Sequence, residues 1–124
     1  MRTFTIDGKG VESFRDFVAA VNAGFVGQVG GDWNGNLDAL NDYLSWPDEE
    51  MYDLELLDSA TCAQALNHAA HAAWLRHHIP TCHPSNVAEA TARLEQAEAG
   101  LGETLFDVII RIIADNQHAR FVLR

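Results

Sequence analysis

The last residues of the chain, 103–124, read ETLFDVIIRIIADNQHARFVLR and are the most informative about its fold class. The first half of this stretch is strongly apolar, at a spacing that matches a helix. The second half, HARFVLR, predicts a short strand. Much of the helix must be buried, given its large apolar side chains: Leu105, Phe106, Ile109, Ile112 and Ile113. A buried helix that leads into a strand is typical of a protein in which helices pack on a sheet.

Two more strands are predicted earlier in the chain. Residues 2–7 alternate, with Phe4 and Ile6 on one side and threonines on the other, as a half-buried strand requires. Residues 48–58, DEEMYDLELLD, predict another strand in which Leu54 and Leu56 are buried and Asp53 and Glu55 lie opposite.

The segments between these strands are predicted to be helical. A capping-box-like start at Ser13 precedes the first helix, and Asn36 is placed to cap the second. Residues 59–78 predict a helix with a break near Asn67, and residues 87–99 predict another. The order strand, helix, helix, strand, helices, strand indicates one α/β domain over residues 1–124, with parallel strands joined by helical crossovers.

The charge of the chain is strongly acidic and unevenly distributed. Eighteen acidic residues against eight basic ones give a formal net charge of −10. No Lys or Arg occurs between Arg15 and Arg76, and half of the acidic residues fall between Asp32 and Asp58. Such a field repels nucleic acid and anionic membranes, and it attracts a basic partner. The alternative is a solvated acidic face that only aids solubility.

One stretch concentrates this acidity on a helix. Residues 30–46, GGDWNGNLDALNDYLSW, place a glycine-rich loop before a short helix whose three leucines lie within about 60° of one another. Asp38 and Asp42 lie on a different face. Asp38 suits the positive end of the helix dipole, whereas Asp42 is too far along the helix for that role. Asp42 is therefore the better candidate for a functional carboxylate.

Histidine and cysteine residues cluster between positions 62 and 83. They are Cys62, His68, His71, His77, His78, Cys82 and His83. Their spacing lacks the tight pairs of a structural zinc site, so no metal or other cofactor is expected. A thiol enzyme that pairs Cys82 with a neighbouring histidine is also disfavoured, because a base must approach the sulfur in space and be held by a third group. The two cysteines are expected to remain reduced.

The sequence resembles the barstar family of intracellular ribonuclease inhibitors. The resemblance rests on TFTIDG at residues 3–8, on GNLDALNDYLSW at 35–46, and on the closing helix and strand at 103–124. It implies a three-stranded parallel sheet packed by helices. Residues 59–102 are longer than the corresponding part of the smallest family members and predict an extra helical segment.

The resemblance also implies a binding surface. Asp38 matches the Asp of the NLDAL motif, Asp42 matches the acid four positions later that mimics phosphate, and Trp33 matches an aromatic residue of the binding loop. Asn41 replaces an aromatic residue of the family, and Arg111 stands where some members have an acid. The expected partner-binding residues are Asp42, Asp38, Trp33, Asp32, Asn36, Asn41 and Trp46.

The function expected from this resemblance is inhibition without catalysis. The chain would bind a basic, secreted, guanyl-preferring microbial ribonuclease one to one and block its active-site cleft. No membrane span or secretory signal is recognisable, so a cytoplasmic location is expected. The alternatives are an immunity-like protein for another toxic nuclease, and a metal-binding or thiol-dependent protein that uses the histidine-rich helices.

Overall fold

A computed structural model describes residues 2–48 and 51–124 of the chain. Helices and strands alternate along it in nearly the predicted order. The strands are β1 (Thr3–Asp7), β2 (Tyr52–Leu57) and β3 (Ala119–Leu123). The helices are α1 (Phe14–Gly24), α2 (Leu37–Tyr43), α3 (Ser59–Ala65), α4 (His68–His78), α5 (Val87–Glu98) and α6 (Leu105–Asp115). No helix in the described part of the chain is long and apolar enough to cross a membrane.

The three strands form one parallel sheet in the order β1, β2, β3. The register places Phe4 beside Leu54 and Leu54 beside Phe121. The expected fold, a three-stranded parallel sheet packed by helices, is thus confirmed. The predicted second strand, residues 48–58, is shorter in the structure, where β2 begins at Tyr52; Glu49 and Glu50 lie outside the described residues.

The two faces of the sheet differ in polarity. One face carries the apolar side chains of alternate strand positions, such as Ile6 and Leu56, which are buried beneath the helices. On the other face Arg120 makes a two-point ion pair with Asp53, at 2.7 and 2.8 Å, across neighbouring strands. Parallel sheets usually have both faces covered by helices. Here cross-strand charge pairs allow one face to remain open to solvent.

Four of the helices begin at a side chain that caps them. Ser13, Asn36, Asn67 and Thr104 each accept a hydrogen bond from the backbone N–H three residues later. Each cap satisfies one of the amide groups that the first helical turn leaves unpaired. The break predicted near Asn67 is confirmed, since α3 ends at Ala65 and Asn67 starts α4.

The extra helical segment joins the main core through Cys62 of α3, through Leu66 and through α4. Helices α4 and α5 pack on each other around a small apolar cluster of Ala72, Leu75 and Ala97. Trp74, on α4, packs against both this cluster and the main core. The segment is therefore an extension of the domain rather than an appendage.

Tyr52 at the start of β2 links the sheet to the end of α2. Its ring is fully buried and stacks on Phe25, with the ring centres 5.7 Å apart. Its hydroxyl donates a 2.6 Å hydrogen bond to the carbonyl oxygen of Leu44, the residue just after α2. Burial raises the pKa of the Tyr52 hydroxyl, so it remains a donor throughout the physiological range.

We expect Tyr52→Phe to lower the free energy of unfolding by about 1–3 kcal/mol, because the buried carbonyl of Leu44 loses its partner. The matched control is Tyr43→Phe, whose hydroxyl makes an exposed hydrogen bond. That change should cost no more than about 0.5 kcal/mol. Urea denaturation of both variants measures the difference, and equal losses would contradict the anchoring role of Tyr52.

Candidate functional site

The candidate site is centred on α2, which contains only seven residues. A helix of this length is unstable alone, so its stability must come from tertiary contacts. Leu37 and Leu40 on the helix and Leu44 just after it are buried in the main core. The opposite face of α2 is exposed, and it carries Asp38 and Asp42. The helix is thus held in place by its buried leucines, and its carboxylates are exposed to solvent.

The loop before α2 is anchored by Trp33. Its ring is buried and makes edge-on contacts with Phe14 and Phe17. The side-chain amide of Asn22 on α1 bonds to both backbone groups of Trp33, accepting from its N–H at 2.7 Å and donating to its carbonyl at 2.9 Å. The Trp33 indole in turn donates to the carbonyl of Asn36, at 2.7 Å. These bonds fix the loop relative to α1.

The burial of Trp33 changes its expected role. The resemblance implied that this aromatic ring would touch a partner, but only 2% of its surface is exposed. A ring enclosed by α1 cannot reach a partner unless the loop moves. Trp33 therefore positions the loop, and its ring is not part of the exposed face of α2. This role was not recognisable in the sequence, because an aromatic residue in a glycine-rich loop fits either role.

Tyr43 fastens the loop to the far end of α2. Its hydroxyl donates to the carbonyl of Asp32 at 3.1 Å, and its ring lies against Gly31 so closely that a Cβ at that position would collide with it. Trp46 meets the Tyr43 ring edge-on, at 4.6 Å between centres, and is half exposed. The tight contact explains why a residue without a side chain is needed at position 31.

Asp42 lies at the centre of the exposed face. It lines two shallow depressions, one shared with Trp46 and the other with Asp38. Asn41 lines both as well, and its side-chain oxygen accepts a hydrogen bond from the Asn116 amide at 3.3 Å. Asp32 is exposed in the loop.

Asn36 has a different place from the residues around Asp42. It is exposed, but its side-chain oxygen is used to cap α2. Of the seven predicted residues, the structure brings Asp38, Asn41, Asp42 and Trp46 around these two depressions.

The charges around α2 leave the aspartates without counterions. Arg111 on α6 lines the depression that contains Asp38 and Asp42, but its guanidinium is held by Glu103 through bonds of 3.0 and 3.1 Å. The hydrogen bond that Arg111 donates to Glu103 raises the pKa of the guanidinium, and the charges of Glu103 and Asp115 add to this effect. Asp115 lines the same depression. Within the described residues, neither Asp38, Asp42 nor Asp115 makes an ion pair.

Two residues that set the charge around α2, Asp115 and Glu103, were not recognised in the sequence. Asp115 lies far along the chain from α2 and reaches the depression only because α6 packs beside α2. Glu103 cancels the charge of Arg111 across eight positions, from outside the helix that carries the arginine. Neither relation follows a local spacing rule, so no motif could have shown them.

Histidines of the predicted histidine-rich segment make hydrogen bonds and a ring contact within the fold. The ring of His71 is buried and hydrogen-bonds to the Glu103 carbonyl at 2.8 Å, and His68 bonds to the Gly102 carbonyl at 2.9 Å. His78 stacks on Trp74. Over residues 2–48 and 51–124, no three His, Cys, Asp or Glu side chains form a group able to hold a metal ion.

The two cysteines occupy different environments. Cys62 is fully buried, and this burial raises the pKa of its thiol, with the charges of Asp58 and Asp7 adding to the effect. Cys82 is partly buried, and its sulfur donates to the carbonyl of Ile79. The neighbouring His83 bonds to Ser85 rather than to the thiol. The Cys82 thiol is therefore not hydrogen-bonded to a histidine that could act as its base.

Comparisons of the chain with protein-family models, with curated proteins and with solved structures found no match. The observations that bear on function are therefore the residues of the α2 face, their anchoring and their charge. Among them, the set of unpaired aspartates on a rigidly held helix is the most distinctive.

Replacing Asn22 with alanine should destabilise the fold and loosen the loop. The change removes both hydrogen bonds to the backbone of Trp33, and the unpaired groups should cost about 1–3 kcal/mol in the free energy of unfolding. Gln28→Ala is the control, since its side chain makes one exposed bond of 3.3 Å to a nearby carbonyl. Chemical denaturation should separate the two variants, and similar small losses would show that Asn22 is not an anchor.

Proposed function

We propose that the chain is a protein inhibitor of barstar type, which binds a basic, secreted, guanyl-preferring microbial ribonuclease one to one. The exposed face of α2 and the preceding loop enter the nuclease cleft, where Asp42 occupies the position of a substrate phosphate. The chain performs no chemistry itself. Its role requires it to act in the cytoplasm of the cell that makes the nuclease. The observation that most supports this proposal is that Asp38 and Asp42 are exposed, and make no ion pair in the described structure, on one face of an anchored helix.

The charge of this face supports a basic partner. A nuclease cleft that binds RNA must itself be cationic, because it holds a polyanion. The carboxylates of Asp38 and Asp42 have no internal counterion in the described structure, so a basic partner can pair with them without breaking an existing ion pair. Arg111 does not oppose such a partner strongly, because Glu103 already balances it.

The anchoring of α2 supports tight binding by a rigid surface. Bonds from Asn22 and Tyr52 hold the loop and the far end of the helix before any partner arrives. A preformed surface loses less conformational entropy on binding than a flexible one. The same rigidity would be unnecessary for a face that only improves solubility.

The same surface would also suit another cationic nuclease. An immunity-like role therefore differs from the proposed one only in its partner. Capture of partners on the immobilised protein, followed by assay of the bound fraction for ribonuclease and deoxyribonuclease activity, separates these two possibilities. Recovery of a ribonuclease whose activity is restored on dissociation supports the proposal, whereas recovery of only a deoxyribonuclease overturns its substrate class.

Asp42→Ala should weaken inhibition of the ribonuclease by more than about 2 kcal/mol, or roughly 30-fold, while leaving the fold stable. Removal of a carboxylate from a cationic cleft leaves the cations of the partner unpaired. The expected magnitude follows the family resemblance rather than the geometry. Inhibition assays, together with thermal unfolding of each variant, measure both effects.

Two control variants make the Asp42 result specific. Asp38→Ala should have a smaller effect on inhibition, because this first-turn acid also supports its own helix by about 0.3–1 kcal/mol. Glu95→Ala removes the same charge from an exposed position on α5 and should leave inhibition nearly unchanged. If a folded Asp42→Ala protein still inhibits fully, the acidic face serves solubility and not binding.

Association with the ribonuclease should slow as salt is added. Between about 0.01 M and 0.15 M ionic strength the screening length falls from about 30 Å to about 8 Å, so the attraction of the acidic face for a basic partner is shortened. We expect the association rate constant to drop at least about tenfold, with a smaller change in dissociation. Stopped-flow rates that stay flat across this range would contradict electrostatic steering.

A further inference from the structure

A second concave site is lined by the loop before α2 and by residues of α1, α3 and α4. It is a cleft of about 720 Å³ between the start of α1, residues 34–36 of the loop, and α4. This volume falls within the range of about 300–1,000 Å³ that is usual for small-molecule sites. Neither Asp38 nor Asp42 lines it, so it shares with the proposed protein-binding surface only residues 34–36 of the loop.

The walls of the cleft are aromatic and its floor is made of small side chains. Phe14 lines one side, and on the other Trp74 and His78 stack with their rings 4.5 Å apart and inclined by 17°. Four alanines add small methyl groups to the lining, beside the polar side chains of Asn67, His77 and Thr81. The alanines that line it are Ala65, Ala69, Ala70 and Ala73. Such a site favours a flat ring, which can lie against aromatic walls.

Two exposed asparagine side chains, Asn34 and Asn36, contribute hydrogen-bond donors to the lining of the cleft. The side-chain oxygen of Asn34 accepts from the backbone N–H of Asn36, and that of Asn36 accepts from the N–H of Ala39. These bonds fix the orientation of both amides, because a backbone N–H can bond only to the oxygen end. The two NH₂ groups have no partner among the described residues.

Ser13 adds a third donor. Its side-chain oxygen accepts the capping bond from Asp16, which leaves its hydroxyl hydrogen free. A ligand that satisfies this set must offer acceptors at its edge. A strongly anionic ligand is disfavoured, because Glu12 lines the cleft and the chain carries a net charge of −10. A cation without acceptor atoms could pair with Glu12 but would leave the donors of Ser13, Asn34 and Asn36 unused.

We propose that this cleft binds a flat, uncharged aromatic molecule that carries hydrogen-bond acceptors on one edge. The ring lies among Phe14, Trp74 and His78, and the acceptors face the amide groups of Asn34 and Asn36. The Trp74 indole donates to the carbonyl of Gly35, at 3.3 Å, and so closes the site at the end nearest the loop. This assignment does not depend on whether the α2 face binds a ribonuclease.

Coumarin is a suitable probe, because it is a planar, neutral double ring whose lactone oxygens only accept hydrogen bonds. Titration of the ¹⁵N-labelled protein should give saturable shifts of the side-chain NH₂ signals of Asn34 and Asn36 and of the Trp74 indole N–H. δ-Valerolactone keeps the lactone but lacks the aromatic ring, and it should bind at least tenfold more weakly. Absence of saturable coumarin shifts, or equal affinity for both lactones, would overturn the proposal.

A filled-cleft variant tests the location. Ala73→Leu adds a side chain to the floor from an exposed helical position, so helix formation should be preserved. Coumarin affinity should fall at least tenfold in this variant. Ala92→Leu makes the same change at an exposed position of α5 that does not line the cleft, and it should bind coumarin like the original chain. Undiminished binding by folded Ala73→Leu would place coumarin elsewhere and refute the site.

Discussion

The clamp that Asn22 places on the backbone of Trp33 is the interaction on which the site depends. Through its two hydrogen bonds the loop is fixed to α1, and the Trp33 indole then holds the carbonyl of Asn36 at the start of α2. The other end of the helix is tied to the sheet by Tyr52. A seven-residue helix has little stability of its own, so these anchors and its buried leucines keep it in place.

Ion pairs elsewhere in the domain neutralise positive charge that would otherwise offset the negative charge of the α2 face. The arginines of the open sheet face and of α6 are each matched by an acidic partner, as in the pairs Arg120 with Asp53 and Arg111 with Glu103. These surface pairs add little to stability. Their effect is to remove positive charge from the neighbourhood, so that the unpaired acids, Asp42 among them, dominate the local field.

Local patterns in the sequence determined the class of fold and most of its elements. Alternation at Phe4 and Ile6, the capping position of Asn36 and the apolar spacing of residues 105–113 each reflect a neighbour a few positions away. The exposure of Asp42 also followed from helix geometry, since the leucines fix which face is buried. Helical crossovers between strands then required the sheet to be parallel.

Only the tertiary structure decided which side chains meet across the domain. It buried Trp33, which the resemblance had placed on the binding surface, because α1 supplies both the ring contacts and the Asn22 amide. It brought Asp115 beside α2, and it formed an aromatic cleft from Phe14 and Trp74, which lie 60 positions apart. These relations depend on how helices pack, and no periodicity within one segment encodes the distance between two segments.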